Sequence, residues 1–110
     1  MFARVQFELA DQNYRESFTI DASIENDRIN HNWYCGFYND CEGERYPFTL
    51  LQDGRLDFGW YAGLDPDVSR FWASNIRERN LQAGEYITLR GHENGAQCEY
   101  TYRVSQIIRL

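Results

Sequence analysis

The 110-residue chain contains no lysine, so all eleven of its basic residues are arginines, and seventeen acidic residues outnumber them. The resulting net charge of -6 argues against a nucleic-acid backbone or an anionic membrane surface as the main partner, because both repel an acidic protein. A basic protein partner fits this charge better. We therefore expect the chain to bind neither nucleic acid nor a membrane.

Long apolar runs are also missing, since none approaches the roughly 18 residues typical of a membrane-spanning helix. The first residues, Met1 to Arg4, lead directly into an alternating strand pattern instead of the basic and apolar regions of a signal peptide. Three cysteines are too few for a disulfide scaffold and cannot all pair within one chain. These features predict a cytoplasmic protein with reduced thiols.

Motifs for catalysis and for metal or cofactor binding are equally scarce. The two histidines and three cysteines lack the C-x2-C spacing of a structural zinc site. No serine lies in a G-x-S-x-G context, and the glycines are too scattered for a phosphate-binding loop. Strand alternation places Cys35 beside Trp33 and Phe37 on a face predicted to be buried, where a thiol behaves as a small hydrophobe. The expectation is a non-enzymatic protein without metal or cofactor.

Aromatic residues, by contrast, make up 16% of the chain and fall in alternating patterns typical of β-strands. The strongest hairpin signal is segment 46–61, where Asp53 and Gly54 separate two apolar runs. A three-residue loop over 52–54, with Gly54 in the left-handed conformation, brings the apolar residues of both strands to one face. The predicted pairs on this core face are Leu50 with Leu56, Phe48 with Phe58, and Tyr46 with Trp60.

A second hairpin is predicted near the end of the chain, with Asn94 and Gly95 as a two-residue loop. This loop pairs Arg90 with Glu99 and Ile87 with Tyr102, and such cross-strand pairs stabilise a sheet. The alternation of the last strand changes phase near Ser105, which indicates a β-bulge.

Residues 66–79 can be interpreted in two ways. Asp65 as a cap, Pro66 at the first helical position and apolar residues at helical spacing favour a helix. The stretch from Phe71 to Ile76 also fits a twisted strand. We predict the helix, because Arg77 to Arg79 continue it with good helix formers.

Six to seven short strands joined by turns, with at most one short helix near residues 66–79, predict a mainly β protein. Residues 1–110 form one antiparallel domain in this interpretation, either a small barrel or a sandwich. A barrel closed by the C-terminal strand is the favoured arrangement.

Two groups of residues are candidate binding positions. Tyr34, Tyr38 and Tyr61 fall on the faces opposite those assigned to the core, and exposed tyrosines are frequent at binding surfaces. Arginines and tryptophan are enriched at protein interfaces, which singles out the second group: Arg70, Trp72 and Arg77.

Together these features predict a non-enzymatic protein-interaction domain that binds a basic partner, such as an inhibitor or immunity-type protein, or that forms a homodimer. The alternative is a β-barrel that binds a small molecule or a carbohydrate through an aromatic-lined pocket or face.

Overall fold

The computed structural model describes residues 1–11, 13–60 and 68–110, and these form a closed antiparallel β-barrel with very little helix. The described strands are β1 (Phe2–Leu9), β2 (Ser17–Glu25), β3 (Arg28–Ile29), β4 (Tyr34–Asn39), β5 (Arg45–Leu50), β6 (Leu56–Asp57), β7 (Phe71–Ser74), β8 (Tyr86–Glu93) and β9 (Ala96–Arg109).

Eight of these strands form the barrel ring, and each pairs with its neighbour along the chain. The ring closes because β1 pairs with β2 on one side and with β9 on the other. The two-residue strand β3 lies outside the ring and extends only the end of β2, where Ile24 pairs with Ile29. The predicted mainly β fold, and the favoured barrel closed by the C-terminal strand, are confirmed.

Strand alternation fills the barrel interior with apolar side chains. Along β1 and β2 every second residue is buried, as the sequence pattern predicts. The buried apolar residues form one core cluster: Ala3, Val5, Phe7, Phe18, Ile20, Ala22, Ile24, Ile29, Phe48, Leu50, Leu56, Trp72, Ile76, Leu81, Ile87, Leu89, Tyr102 and Val104.

The two ends of the barrel differ in how they are covered. At the lower end, a 3-10 helix (Ile76–Glu78) and β3 place Ile29, Ile76 and Leu81 against the core. The upper end carries the connections 10–16 and 40–44, the turn between β8 and β9, and residues 58–60 beyond β6. This upper part carries the exposed aromatic residues Tyr14, Tyr46 and Trp60 and several acidic residues.

The hairpin between β5 and β6 has the predicted register. Leu50 pairs with Leu56, and Gly54 has φ +92°, the left-handed conformation that the three-residue loop requires. The rings of Phe48 and Phe58 lie 5.4 Å apart. The prediction that Tyr46 and Trp60 belong to the core is wrong, since 45% and 63% of their surfaces are exposed. Both lie beyond the last core layer, at the upper end.

The C-terminal hairpin is confirmed residue by residue. Arg90 pairs with Glu99 and Ile87 with Tyr102, and Asn94 and Gly95 both have positive φ values. The bulge predicted near Ser105 is also present. Gln6 pairs with Gln106 while Phe7 pairs with Val104, so that Ser105 is the extra residue on β9. The bulge lies where β9 leaves β8 and follows β1 to close the barrel.

The one short helix expected near 66–79 is the 3-10 helix Ile76–Glu78. The prediction that residues 71–74 belong to this helix is wrong, because Phe71–Ser74 form strand β7, which pairs with β6 on one side and β8 on the other. The caps Asp65 and Pro66 lie outside the described residues. The ring needs a strand here to satisfy the backbone groups of both neighbours, and this tertiary requirement overrides the helical spacing.

The inner and outer faces of β4 are opposite to those predicted. Gly36 is buried and Tyr34 and Tyr38 are half-buried on the inner face, whereas Cys35 and Phe37 are exposed on the outer face. Trp33, just before the strand, is 64% exposed. Cys35 is therefore not the buried thiol that the sequence predicts. Small Gly36, not the large aromatics, marks the inner face, because the ring of Phe48 fills the space beside it.

Candidate functional site

The candidate site is the upper opening of the barrel, where polar side chains lie directly above the apolar core. Each of these residues lies two positions from a residue that faces the barrel interior, on the side nearer the upper end. Its side chain therefore continues the inner face of its strand. We call this group the mouth cluster: Glu16, Tyr38, Glu93, Tyr100 and Tyr102. Tyr102 is buried, and the other four are half-buried.

Two tyrosine hydroxyl groups of the mouth cluster donate hydrogen bonds to its two carboxylates. The Tyr100 hydroxyl donates to Oε2 of Glu93 at 2.9 Å, and the Tyr102 hydroxyl donates to Oε2 of Glu16 at 3.5 Å. Burial raises the pKa values of Tyr38, Tyr100 and Tyr102, and the charge of Glu16 contributes to all three increases. Glu93 further raises the pKa values of Tyr38 and Tyr100. The two carboxylates therefore act on one compact group of phenols.

Aromatic rings surround these polar groups. Phe58 meets Tyr38 edge to face at 6.2 Å, and Tyr38 lies 6.1 Å from Tyr46. On the opposite wall, the indole of Trp72 lies 6.0 Å from the ring of Tyr100. The opening thus presents the faces and edges of rings around two acids, a combination suited to cations.

Exposed aromatic residues form an outer rim at the same end: Tyr14, Tyr46 and Trp60, which are 59%, 45% and 63% exposed. The Asp40 carboxylate organises the acidic loop beside them, because it accepts hydrogen bonds from the backbone N–H groups of Glu42 and Glu44, each at 2.9 Å. The Tyr46 hydroxyl donates to the same carboxylate at 3.4 Å.

Charge is distributed unequally between the two ends. The described connections of the upper end, together with Glu93, carry two arginines, Arg15 and Arg70, and six acids: Asp11, Glu16, Asp40, Glu42, Glu44 and Glu93. The lower connections, together with the strand residues Glu25 and Arg28, carry four arginines and five acids: Arg28, Arg55, Arg77, Arg79, Glu25, Asp27, Asp53, Glu78 and Glu85. Most of the net negative charge in the connecting loops therefore lies at the mouth.

The structure brings together only some of the residues that the sequence singles out. Tyr38 and Trp72 both contribute to the mouth, although Trp72 is only 8% exposed and faces the interior. Tyr61 lies outside the described residues. Tyr34 and Arg77 lie together at the lower end, where the Tyr34 hydroxyl donates to the Asn30 side chain and Arg77 donates to the backbone carbonyls of Asn30, Asn32 and Leu51. Burial lowers the pKa of Arg77.

Arg70 lies on the outer wall, apart from the mouth cluster. It donates to both carboxylate oxygens of Asp57, and the guanidinium holds the pKa of Asp57 below its usual value. The ring of Phe71 contacts two guanidinium groups, those of Arg55 at 4.7 Å and Arg70 at 4.8 Å from the ring centre. These contacts fix both arginines along the outside of β6 and β7.

Two clefts indent the outside of the protein. The first, of about 310 Å³, crosses β1, β2 and β4 and is lined by the paired side chains of Arg4 and Asp21 and by the exposed Cys35. The second, of about 290 Å³, lies at the lower end between β3 and Arg77. Within the described ranges, no group of three or more histidine, cysteine or acidic side chains is arranged to hold a metal ion.

Sequence patterns alone miss four members of the mouth cluster: Glu16, Glu93, Tyr100 and Tyr102. Glu16 precedes β2 and Glu93 ends β8, and neither lies in a recognisable motif. The available signal is their phase, because each continues the apolar alternation of its strand one step toward the upper end. Closure of the ring then brings them to the same opening.

No family model matches the chain, and neither does any curated protein or solved structure. No helix of the described residues is long and apolar enough to cross a membrane.

Proposed function

We propose that the protein is a non-enzymatic binding domain that uses the upper end of its barrel to bind a basic partner protein. The carrying observation is that exposed aromatic residues and unbalanced negative charge occur at the same end. Exposed rings supply apolar contact area, and acidic side chains attract and orient a basic surface. We expect this interaction in the cytoplasm, with all three thiols reduced.

The rim has the composition of a protein interface. Tyr14, Tyr46 and Trp60 offer large rings with few rotatable bonds, which bind at a low cost in conformational entropy. Glu42 and Glu44 are exposed beside them and are available for ion pairs with a basic partner. Tyrosine and tryptophan are among the residues that contribute most to binding free energy at such surfaces.

A small molecule held deep inside the barrel is less well supported. In the interior, Phe18 packs against both Phe48 and Tyr102, with ring centres 6.1 Å and 4.9 Å apart. Leu50, Leu56 and Ile87 are completely buried in the same core. This packing favours recognition at the upper end over a deep pocket.

The test is affinity capture with the immobilised protein from native lysate, followed by identification of the partner and titration of the purified pair by calorimetry. We expect a basic partner whose affinity falls as salt is raised, because added ions screen the acidic loop. The variant Glu42→Gln/Glu44→Gln should weaken binding several-fold.

The matched control is Glu25→Gln/Glu78→Gln, which removes the same charge from exposed positions near the lower end. It should bind as tightly as the unmodified protein. Equal binding by both double variants, or a partner whose affinity does not respond to salt, would refute a docking surface at the upper end.

A further inference from the structure

The mouth cluster contains two acids without a positively charged partner. Ion pairs among the described residues join Arg4 to Asp21, Arg55 to Asp53, Arg70 to Asp57, and Arg79 to Glu85. Glu16 and Glu93 take part in none of them and instead accept hydrogen bonds from tyrosine hydroxyls. Each half-buried carboxylate thus accepts from one tyrosine of the cluster, Glu93 from Tyr100 and Glu16 from Tyr102, and forms no ion pair among the described residues.

Such an arrangement costs free energy, because burial weakens the hydration of a charged group. The neighbouring arginines form no ion pair with either carboxylate, and this includes Arg15, which precedes Glu16 in the chain. Arg45 lies over the outer face of Phe37 and donates to Asn39, and Arg70 is bound to Asp57 on the outer wall. A cation arriving from outside would therefore find negative charge that the fold leaves uncompensated.

We infer that the mouth cluster receives one arginine side chain of the basic partner, with its guanidinium near Glu16 and Glu93 and its plane against the aromatic rings. This inference rests on the proposed function and names the group that the partner inserts. A guanidinium matches the site in two ways, because it donates in pairs to carboxylates and stacks on aromatic faces.

The surrounding rings support arginine over a compact ammonium group. Tyr38 with Phe58 forms one wall and Trp72 with Tyr100 the other, so that flat surfaces border the carboxylates. Elsewhere, on its outer wall, this protein already holds two guanidinium groups against an aromatic ring, at Phe71. A lysine ammonium is a strongly hydrated point charge and would gain less from these flat walls.

The direct test is a titration of the complete protein with N-acetyl-L-arginine amide in the absence of any partner protein. Binding is followed by backbone and side-chain NMR. We expect saturable chemical-shift changes centred on Tyr38, Glu93 and Tyr100. The neutral analogue N-acetyl-L-citrulline amide, which has a similar shape without the charge, should cause none. N-acetyl-L-lysine amide should bind at least several-fold more weakly than the arginine probe.

The variant Glu16→Gln/Glu93→Gln keeps an acceptor oxygen for each tyrosine and removes both charges, and it should weaken binding of the arginine probe at least tenfold. The single variant Glu93→Gln provides the measurement if the double variant does not fold. Absence of saturable shifts with the arginine probe, equal binding of citrulline or lysine, or unchanged affinity in the variants would overturn the inference.

The rim variant Glu42→Gln/Glu44→Gln separates this inference from the proposed function. It should weaken capture of the partner while leaving affinity for the small arginine probe nearly unchanged. If the partner binds at the rim but the probe does not bind, the arginine pocket is refuted and the proposed function stands. If the probe binds but salt-sensitive partner binding is absent, the proposed function fails and the pocket remains.

Discussion

The ring of Phe48 occupies the space that a side chain on Gly36 would need. A Cβ atom at Gly36 would lie 2.6 Å from Cζ of Phe48 and 2.3 Å from the backbone carbonyl oxygen of Thr19. Gly36 pairs with Phe48 on β5 and with Ile20 on β2, so it lies at the centre of three strands. The missing side chain allows a large ring to fill the barrel beneath the mouth.

Replacing Gly36 with alanine should therefore destabilise the barrel. Overpacking of a tight core typically costs about 1 to 3 kcal/mol, and contact with a backbone atom of the neighbouring strand leaves little freedom to relax. The free energy of unfolding, measured by urea denaturation and circular dichroism, gives the effect. Cys35→Ala is the control, because the adjacent Cys35 faces solvent and its loss should change stability by less than about 0.5 kcal/mol. Equal stability of Gly36→Ala and the unmodified protein would show that β4 presents its other face to the core.

A comparison of Phe48→Ala with Phe58→Ala measures where the core ends. Phe48 is 4% exposed and should lose about 3 to 5 kcal/mol when truncated, whereas the half-buried Phe58 should lose clearly less, about 1 to 3 kcal/mol. Both values come from the same denaturation experiment. A loss at Phe58 as large as that at Phe48 would mean that the core extends upward through the mouth.

Local sequence signals predict the turns of this barrel well. Asn94 and Gly95 both adopt positive φ values, a requirement that few residue pairs satisfy, so the register of β8 with β9 follows from the turn alone. The extra residue Ser105 is visible in the sequence because a bulge shifts the alternation of every later residue.

Two features depend on contacts with other strands: which face of β4 points into the barrel, and whether residues 71–74 form a strand. The sequence patterns give wrong predictions for both. Because aromatic residues occur on both sides of β4, its two faces do not differ in hydrophobicity. Gly36 identifies the inner face only when its pairing with Phe48 on β5 is known. On β7, Trp72 packs over Gly91, where a Cβ would lie 2.5 Å from the indole. That contact links β7 to β8 and has no local signature in the sequence.

The candidate site is predictable only in part for the same reason. Tyr38 and Trp72 are recognisable as aromatics in excess, but strand alternation predicts Tyr38 on the outside and helical spacing predicts Trp72 in a helix. Glu16 and Glu93 belong to opposite parts of the chain, and only barrel closure brings both near Tyr38. A patch assembled from single residues of several strands leaves no spacing pattern.

The three tyrosines of the mouth cluster predict a loss of stability at alkaline pH. Burial and the nearby carboxylates raise the pKa values of Tyr38, Tyr100 and Tyr102 above the value near 10 of an unfolded tyrosine. Below pH 10 the phenols are protonated in both states, so their contribution to stability is fully present. Above it, the unfolded chain releases protons that the folded barrel retains, and the free energy of unfolding falls as pH rises.

Tyrosinate absorbance recorded together with circular dichroism tests this expectation. Of the eight tyrosines in the chain, these three should ionise only as the barrel unfolds, so part of the absorbance change coincides with loss of the β spectrum. Tyr100→Phe should make the alkaline decline in stability less steep, because one retained proton is removed from the folded state. Complete ionisation of all eight phenols near pH 10 with an intact β spectrum would contradict a buried, negatively charged environment for the mouth cluster.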